Sequence, residues 1–201
     1  MTRQIQYIDV FAGCGGISLG LYNAGLRGIF AIEKHPEAFQ TLKYNLIDNR
    51  THFYWPEWLS LENWDINKLL KTKSDKLIQF RGQIDLVAGG PPCQGFSVAG
   101  QRRASDKRNN LIYSYLEFVE LIQPRVIMFE NVRGFTLKFS NFKKHDKFAA
   151  SEIVLQKLNE LGYTDAHGEM VNFANYSVPQ RRQRFLVIAT KENLSSTPGR
   201  K

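Results

Sequence analysis

One of the two cysteines in the chain lies in "GGPPCQGFS", residues 89 to 97. Pro91 and Pro92 fix the backbone ahead of Cys93, and Gly90 and Gly95 leave room beside it. Such a loop displays a thiol instead of burying it, and the chemistry it suggests is nucleophilic attack by a thiolate. The thiolate needs nearby positive charge to lower its pKa, and "QRR" at 101–103 and "RRQR" at 181–184 are candidates. A second chemistry is written in "DVFAGCGG", where Gly13, Gly15 and Gly16 let the backbone approach a ligand and leave helix-end amides exposed. The spacing is not that of a dinucleotide fingerprint, since Ser18 stands where the third glycine would be. Glu33, 20 positions after Gly13, is placed to reach the two ribose hydroxyls of an adenosyl ligand. Asp65 in "NWDINKLL" could accept from the adenine amino group, or cap the helix that follows it.

These residues need a scaffold that brings strand ends together. Apolar runs alternate with helical patterns: "IQYIDVFA" then "ISLGLYNAG", "GIFAIE" then "PEAFQTLKYNL", "IDLVAG" then "NLIYSYLEFVELI", "RVIMFE" then "FAASEIVLQKLNELG". Parallel strands need crossover helices, so the alternation predicts an α/β fold, a Rossmann-like doubly wound and mostly parallel sheet. Ligands of such folds bind at the carboxyl ends of the strands, where "IDLVAGG" delivers Cys93. Two last strands, near "AHGEMVNFA" and "RFLVIAT", have no helix between them and are expected to pair antiparallel. The segment "NRTHFYWPEWLSLENW" holds all three tryptophans and reads as a local core or as a docking face for another chain. Cys14 is expected to be a small buried hydrophobe.

Length and composition set the outer bounds. The 201 residues suit one domain, and 43% hydrophobic with 23% charged residues is ordinary for a globular protein. There is no long apolar run and no signal-peptide pattern, so a cytoplasmic protein with no membrane role is expected. Two cysteines make no disulfide framework, and four histidines without a CxxC make a metal site improbable. The net charge of +8 is lopsided: residues 1 to 100 carry ten basic against nine acidic side chains, and residues 101 to 201 carry seventeen against ten. A basic second half points to phosphate-bearing partners.

Taken in order, "DVFAGCGG", "AIEKHPEAF", "GGPPCQGFS", "FENVRG" and "VPQRRQRF" resemble the cytosine-5 DNA methyltransferases from Tyr7 to Ala189. The resemblance implies the fold of S-adenosylmethionine-dependent methyltransferases, with a catalytic, cofactor-binding domain over 1–190 and a polar tail over 191–201. It makes Cys93 the nucleophile that adds to C6 of a cytosine, and Glu130 the residue that contacts N3 and the amino group. Arg184 would hold the ring's O2, while Arg182 and Gln180 brace Glu130 and the target's phosphate. On the cofactor side it implies Phe11 flanking adenine, the glycines 13, 15 and 16, Glu33, Asp65, Pro92, and Leu111 at the methionine part. Gln94, Ser97, Gln101, Arg103 and Arg108 would face the DNA, with Asp106 and Arg108 ending the mobile catalytic loop. The chemistry explains these residue types. Cytosine C5 becomes an adequate nucleophile only after a thiolate adds at C6, and C6 is reachable only if the base is flipped from double-stranded DNA.

Family members continue past the point where this chain ends, with a domain that reads the DNA and a final helix. Nothing in "TKENLSSTPGRK" can supply either. The expectation is a catalytic subunit or fragment of a restriction-modification system, with a second polypeptide carrying target recognition and needed for activity. Two other readings are a tRNA cytosine-5 methyltransferase and a non-catalytic, cofactor-binding or regulatory partner.

Overall fold

The computed structural model describes residues 3–92, 110–137 and 149–191. Its strands, numbered in chain order as β1 (Gln6–Val10), β2 (Arg27–Ile32), β3 (Leu86–Gly89), β4 (Val126–Val132), β5 (Asp165–Asn172) and β6 (Gln183–Thr190), form a six-stranded sheet in the order β2-β1-β3-β4-β6-β5. The expected α/β class and the antiparallel carboxyl-terminal strands are both present. The chain divides into two compact units, Met1–Pro91 with Glu117–Pro124, and Pro92–Leu116 with Arg125–Lys201.

In the first unit, β1 (Gln6–Val10) pairs in parallel with β2 (Arg27–Ile32) on one side and β3 (Leu86–Gly89) on the other. Apart from Gln6 and Arg27, every residue of these strands is buried, the continuous burial expected of parallel strands covered on both faces. Between them run α1 (Gly16–Asn23), α2 (Pro36–Leu42) and α3 (Ile66–Leu77). Pro36 begins α2, where its missing N–H costs nothing and its fixed φ suits the helix. A π-helical turn, Lys43–Asp48, extends α2, and the Lys43 ammonium meets the Asp48 carboxylate five residues on at 2.8 Å. The turn brings Leu46 beside Leu42 under the glycine-rich loop. A Cβ placed on Gly15 would lie 2.9 Å from Leu46 Cδ1 and 3.2 Å from Leu42 Cγ.

The tryptophan-rich segment closes a local core. The Phe30 ring lies 6.4, 6.0 and 6.1 Å from those of Trp55, Trp58 and Phe80, and Trp55 also meets Phe39 and Phe53 at 6.0 Å. Phe53 bridges to Gly28 and so covers the outer side of β2. Any Cβ on Gly28 would lie 2.4 Å from the Phe53 ring, which is why this strand position is glycine.

In the second unit, β4 (Val126–Val132) and β5 (Asp165–Asn172) both pair antiparallel with β6 (Gln183–Thr190). Here burial alternates: Ile127, Phe129, Asn131, Phe185, Val187 and Ala189 are buried, while Met128, Glu130, Arg184 and Leu186 are half-buried. One face thus carries the core, where Phe129 lies 5.4 Å from Tyr115 and 5.3 Å from Phe135. Tyr115 belongs to α4 (Asn110–Ile122). Helix α5 (Ala150–Glu160) begins with Glu152 accepting from the Ala149 N–H at 2.8 Å, half of a capping box because alanine has no side-chain oxygen.

Candidate active site

The glycine-rich turn leaves β1 through Phe11, which is held at φ 64°, and proceeds through Gly13 (φ 57°) to Gly15 (φ 87°). A left-handed phenylalanine is a strained conformation that the surroundings must enforce, and such residues cluster at ligand sites. Gly15 is the N-cap of α1 and offers no side-chain cap, and in the first turn the Ser18 amide donates to the Asp9 carboxylate. Gly13 and Gly16 face open space, with nothing within 4 Å of an added Cβ. Glu33 is 8% exposed, and it accepts from the Gly13 N–H at 2.8 Å and the His35 N–H at 2.7 Å. Its carboxylate is therefore fixed against the turn, with lone pairs remaining for a ribose diol. Asp65 takes the capping role: Oδ1 accepts from the Asn67 and Lys68 amides, and Oδ2 meets the Lys34 ammonium at 2.8 Å. Partial burial pushes the Asp65 carboxyl up, but Lys34 and the two amides outweigh it and hold the group below its ordinary value.

Beneath the turn lies a polar cluster for which the motifs gave no warning. Asp9 is fully buried in β1, and its Oδ2 accepts from the Ser18 hydroxyl at 2.5 Å. Burial pushes the Asp9 carboxyl up to about 7, with the Ser18 bond opposing and the Glu33 charge adding to the rise. Ser18, where a dinucleotide site would have glycine, thus ties α1 to β1. Its carbonyl also accepts from the Tyr7 hydroxyl at 3.2 Å, and that hydroxyl lies 2.6 Å from His52 Nε2. Since Tyr7 has one proton to give, His52 donates from Nε2 when Tyr7 donates to Ser18. Burial, and then the Arg27 charge, lower His52 to about 4. An aspartate inside an otherwise apolar strand was the one available signal for this cluster.

In the second unit the strand register brings two charged side chains together. Glu130 lies opposite Leu186 and Arg184 opposite Val132, so the two charged residues sit diagonally on one face of adjacent strands. Arg184 Nε meets Glu130 Oε1 at 2.8 Å, with side chains 18% and 24% exposed, and Arg184 Nη1 also donates to the Gln183 carbonyl at 2.8 Å. Arg184, expected at the base's O2, is therefore the arginine that meets Glu130. Arg182 precedes β6, and its side chain is exposed, as is that of Gln180. Leu111 is half-buried in the first turn of α4, and Pro92 is exposed. Cys93, Gln94, Ser97, Gln101, Arg103, Asp106 and Arg108 lie outside the described residues. Cys14 departs from expectation: it is exposed, because it sits at the tip of the glycine-rich turn and not on the strand before it.

Among the described residues, no cluster of three or more His, Cys, Asp or Glu side chains could hold a metal ion, and no helix is long and apolar enough to cross a membrane. The open turn and the fixed Glu33 carboxylate suit an adenosyl cofactor.

Residues 5–200 match the model of the C-5 cytosine-specific DNA methylases. The chain is 35% identical over 195 residues to the type II methyltransferase M.Sau96I of Staphylococcus aureus, covering 96% of this chain and 40% of that one. It is 32% identical over 189 residues to the type II methyltransferase M.Eco47II of Escherichia coli, covering 94% and 40%. Among solved structures, the Dnmt2 methyltransferase of S. pombe has the same fold, with a TM-score of 0.64 at 18% identity over 94% of this chain and 49% of that one. The chain thus spans about 40% of the length of these two curated relatives. Family and fold imply S-adenosylmethionine as the methyl donor. The sequence blocks and the strand framework that carries them agree: the chain belongs to the C-5 cytosine-specific DNA methylase family.

Proposed function

We propose that the chain is the catalytic part of a DNA (cytosine-5) methyltransferase of a restriction-modification system, acting in a bacterial cytoplasm on a cytosine flipped from duplex DNA. The Cys93 thiolate adds to C6 of the ring, forming an S–C6 bond, while Glu130 delivers a proton to N3. The ring then carries enamine character at C5. S-adenosylmethionine supplies an electrophilic methyl group, and Glu33, Asp65, Phe11, Pro92, Leu111 and the glycines 13, 15 and 16 hold and orient it. Transfer of the C5 proton to a base, return of the N3 proton to Glu130 and breakage of the S–C6 bond release the thiolate and restore the neutral aromatic ring. Arg184 orients Glu130 and neighbours the ring's O2, while Arg182 and Gln180 meet the backbone phosphate. Gln94, Ser97, Gln101, Arg103 and Arg108 line the strand path to the flipped base.

The observation that best supports this reading is the Glu130–Arg184 contact on adjacent strands, which presents a carboxyl and a planar guanidinium on one half-open face. Because the chain spans about 40% of its relatives, we further propose that a second polypeptide supplies target recognition and completes the activity. The test is methyl transfer from isotopically labelled S-adenosylmethionine, with and without that polypeptide, to duplex DNA and to tRNA. Label in DNA C5-methylcytosine supports the proposal. Label in tRNA alone would replace DNA by RNA as substrate, and label in neither would leave a non-catalytic partner.

A further inference from the structure

The hairpin joining β5 to β6 has a tip of which the proposed reaction uses only Gln180 and Arg182. Its backbone is internally fastened: the Phe173 N–H donates to the Arg182 carbonyl at 2.9 Å, the Val178 N–H to the Phe173 carbonyl at 3.3 Å, and the Gln180 N–H to the Val178 carbonyl at 2.7 Å. Asn172 accepts from the Ala174 N–H at 3.2 Å, and Ser177 turns the chain with φ 63°. Yet the side chains on this ordered tip point outward. Tyr176 is 67% exposed, and Arg181 and Arg182 are exposed with no ion-pair partner among the described residues. No acidic residue occurs between Glu169 and Glu192 to offset them.

The strand register adds a third guanidinium at this end. The β4–β6 ladder finishes at the Val132–Arg184 pair, and the next residue, Arg133, is exposed and also without an ion-pair partner among the described residues. Free guanidiniums beside an outward aromatic, on a backbone whose ordering entropy is already spent, match the chemistry of a nucleic-acid strand. Phosphates take the charges, and a base face takes the ring. A protein partner would more often call for carboxylates or a wider apolar surface here.

We infer that the β5–β6 hairpin tip is a strand-gripping element, in which Tyr176 stacks on an unpaired base of the DNA while Arg181 and Arg133 hold neighbouring phosphates. The inference rests on the proposal that the chain acts on DNA. It names residues beyond Glu130, Arg182 and Arg184, and binding alone can test it.

Fluorescence anisotropy of a labelled DNA duplex with an unpaired cytosine, titrated with the full chain across a salt series, separates the contributions. Tyr176→Ala is expected to weaken binding roughly 5- to 100-fold at every salt concentration, while Tyr176→Phe binds as wild type does. Arg181→Ala is expected to lower the slope of log affinity against log salt by about 0.9. If the wild type binds DNA and these three variants match it in affinity and slope, the inference is wrong while the DNA reading stands. If the wild type does not bind DNA, both fall. If Tyr176→Ala spares DNA binding but abolishes association with the second polypeptide, the tip is a protein interface and the inference is overturned.

Discussion

The strands of the first unit are buried along nearly their whole length, whereas in the second β4 and β6 alternate buried residues with half-buried or exposed ones and β5 is mostly exposed. Glu33, at the end of the first kind of strand, is held by two backbone amides and is 8% exposed. Glu130, on the second kind, meets a guanidinium and has a side chain 24% exposed. On the proposed reading the difference would separate two tasks. A cofactor that is the same in every turnover would be served by a preset, inflexible carboxylate, while a base arriving from a duplex would need polar groups on an accessible face.

The largest test of this division is Glu130→Gln, which keeps shape and removes the proton. Methyl transfer should fall by roughly 10²- to 10⁴-fold with cofactor affinity unchanged. Single-turnover rates and calorimetry measure the two separately, and an equal loss in both would break the division. Next comes Gly15→Val. With φ 87° and Leu46 2.9 Å from the new Cβ, this change should cost about 1–3 kcal/mol of stability and weaken cofactor binding. Chemical denaturation reads the first effect and titration the second. A variant that keeps full stability and affinity would show that the turn is not preset.

The buried cluster gives a prediction in pH. Asp9 rises from 3.8 to about 7 on folding, so the folded chain binds the extra proton between those values and stability falls as pH rises from about 4 to 7. His52 drops from 6.5 to about 4, so the folded chain there holds fewer protons and stability rises over nearly the same window. The two slopes oppose each other. Replacing Asp9 by Asn should leave the His52 slope uncovered, making stability climb between pH 4 and 6.5 more steeply than in the wild type. Melting temperatures across this range decide it, and an unchanged profile would mean that Asp9 does not titrate as its burial demands.

Smallest is Lys34→Ala. Its ammonium is 70% exposed, and its contact with Asp65 should be worth well under about 1 kcal/mol. Thermal denaturation should show a shift within a degree or two, because the amides of Asn67 and Lys68 still hold the carboxylate. A large loss would mean that Asp65 is set by its side-chain partner and not by the backbone.

Much of this was legible in the amino-acid order. Alternating apolar runs placed every strand, and the lack of a helix between "AHGEMVNFA" and "RFLVIAT" foretold an antiparallel pair. Glu33 could be found because its distance from Gly13 reflects one β-α-β unit. Asp65 left two readings open, since capping and ligand binding ask for the same residue type at the same place. Register was not legible: whether Arg182 or Arg184 meets Glu130 depends on which residue of β6 lies opposite Val132, and a shift of two residues would exchange them. The π-helical turn was hidden too, because a Lys–Asp spacing of five reads as an ordinary helical surface. Cys14 misled because a cysteine beside glycines fits a tight buried turn as well as an exposed one.

The most direct measurement of the central claim is covalent trapping. Duplex DNA carrying 5-fluorocytosine at the target position, incubated with the chain, the proposed second polypeptide and S-adenosylmethionine, should give a stable adduct that peptide mass spectrometry maps to Cys93. Cys93→Ser should abolish the adduct while leaving cofactor binding intact. A methylated product without any adduct, or an adduct at Cys14, would contradict the account.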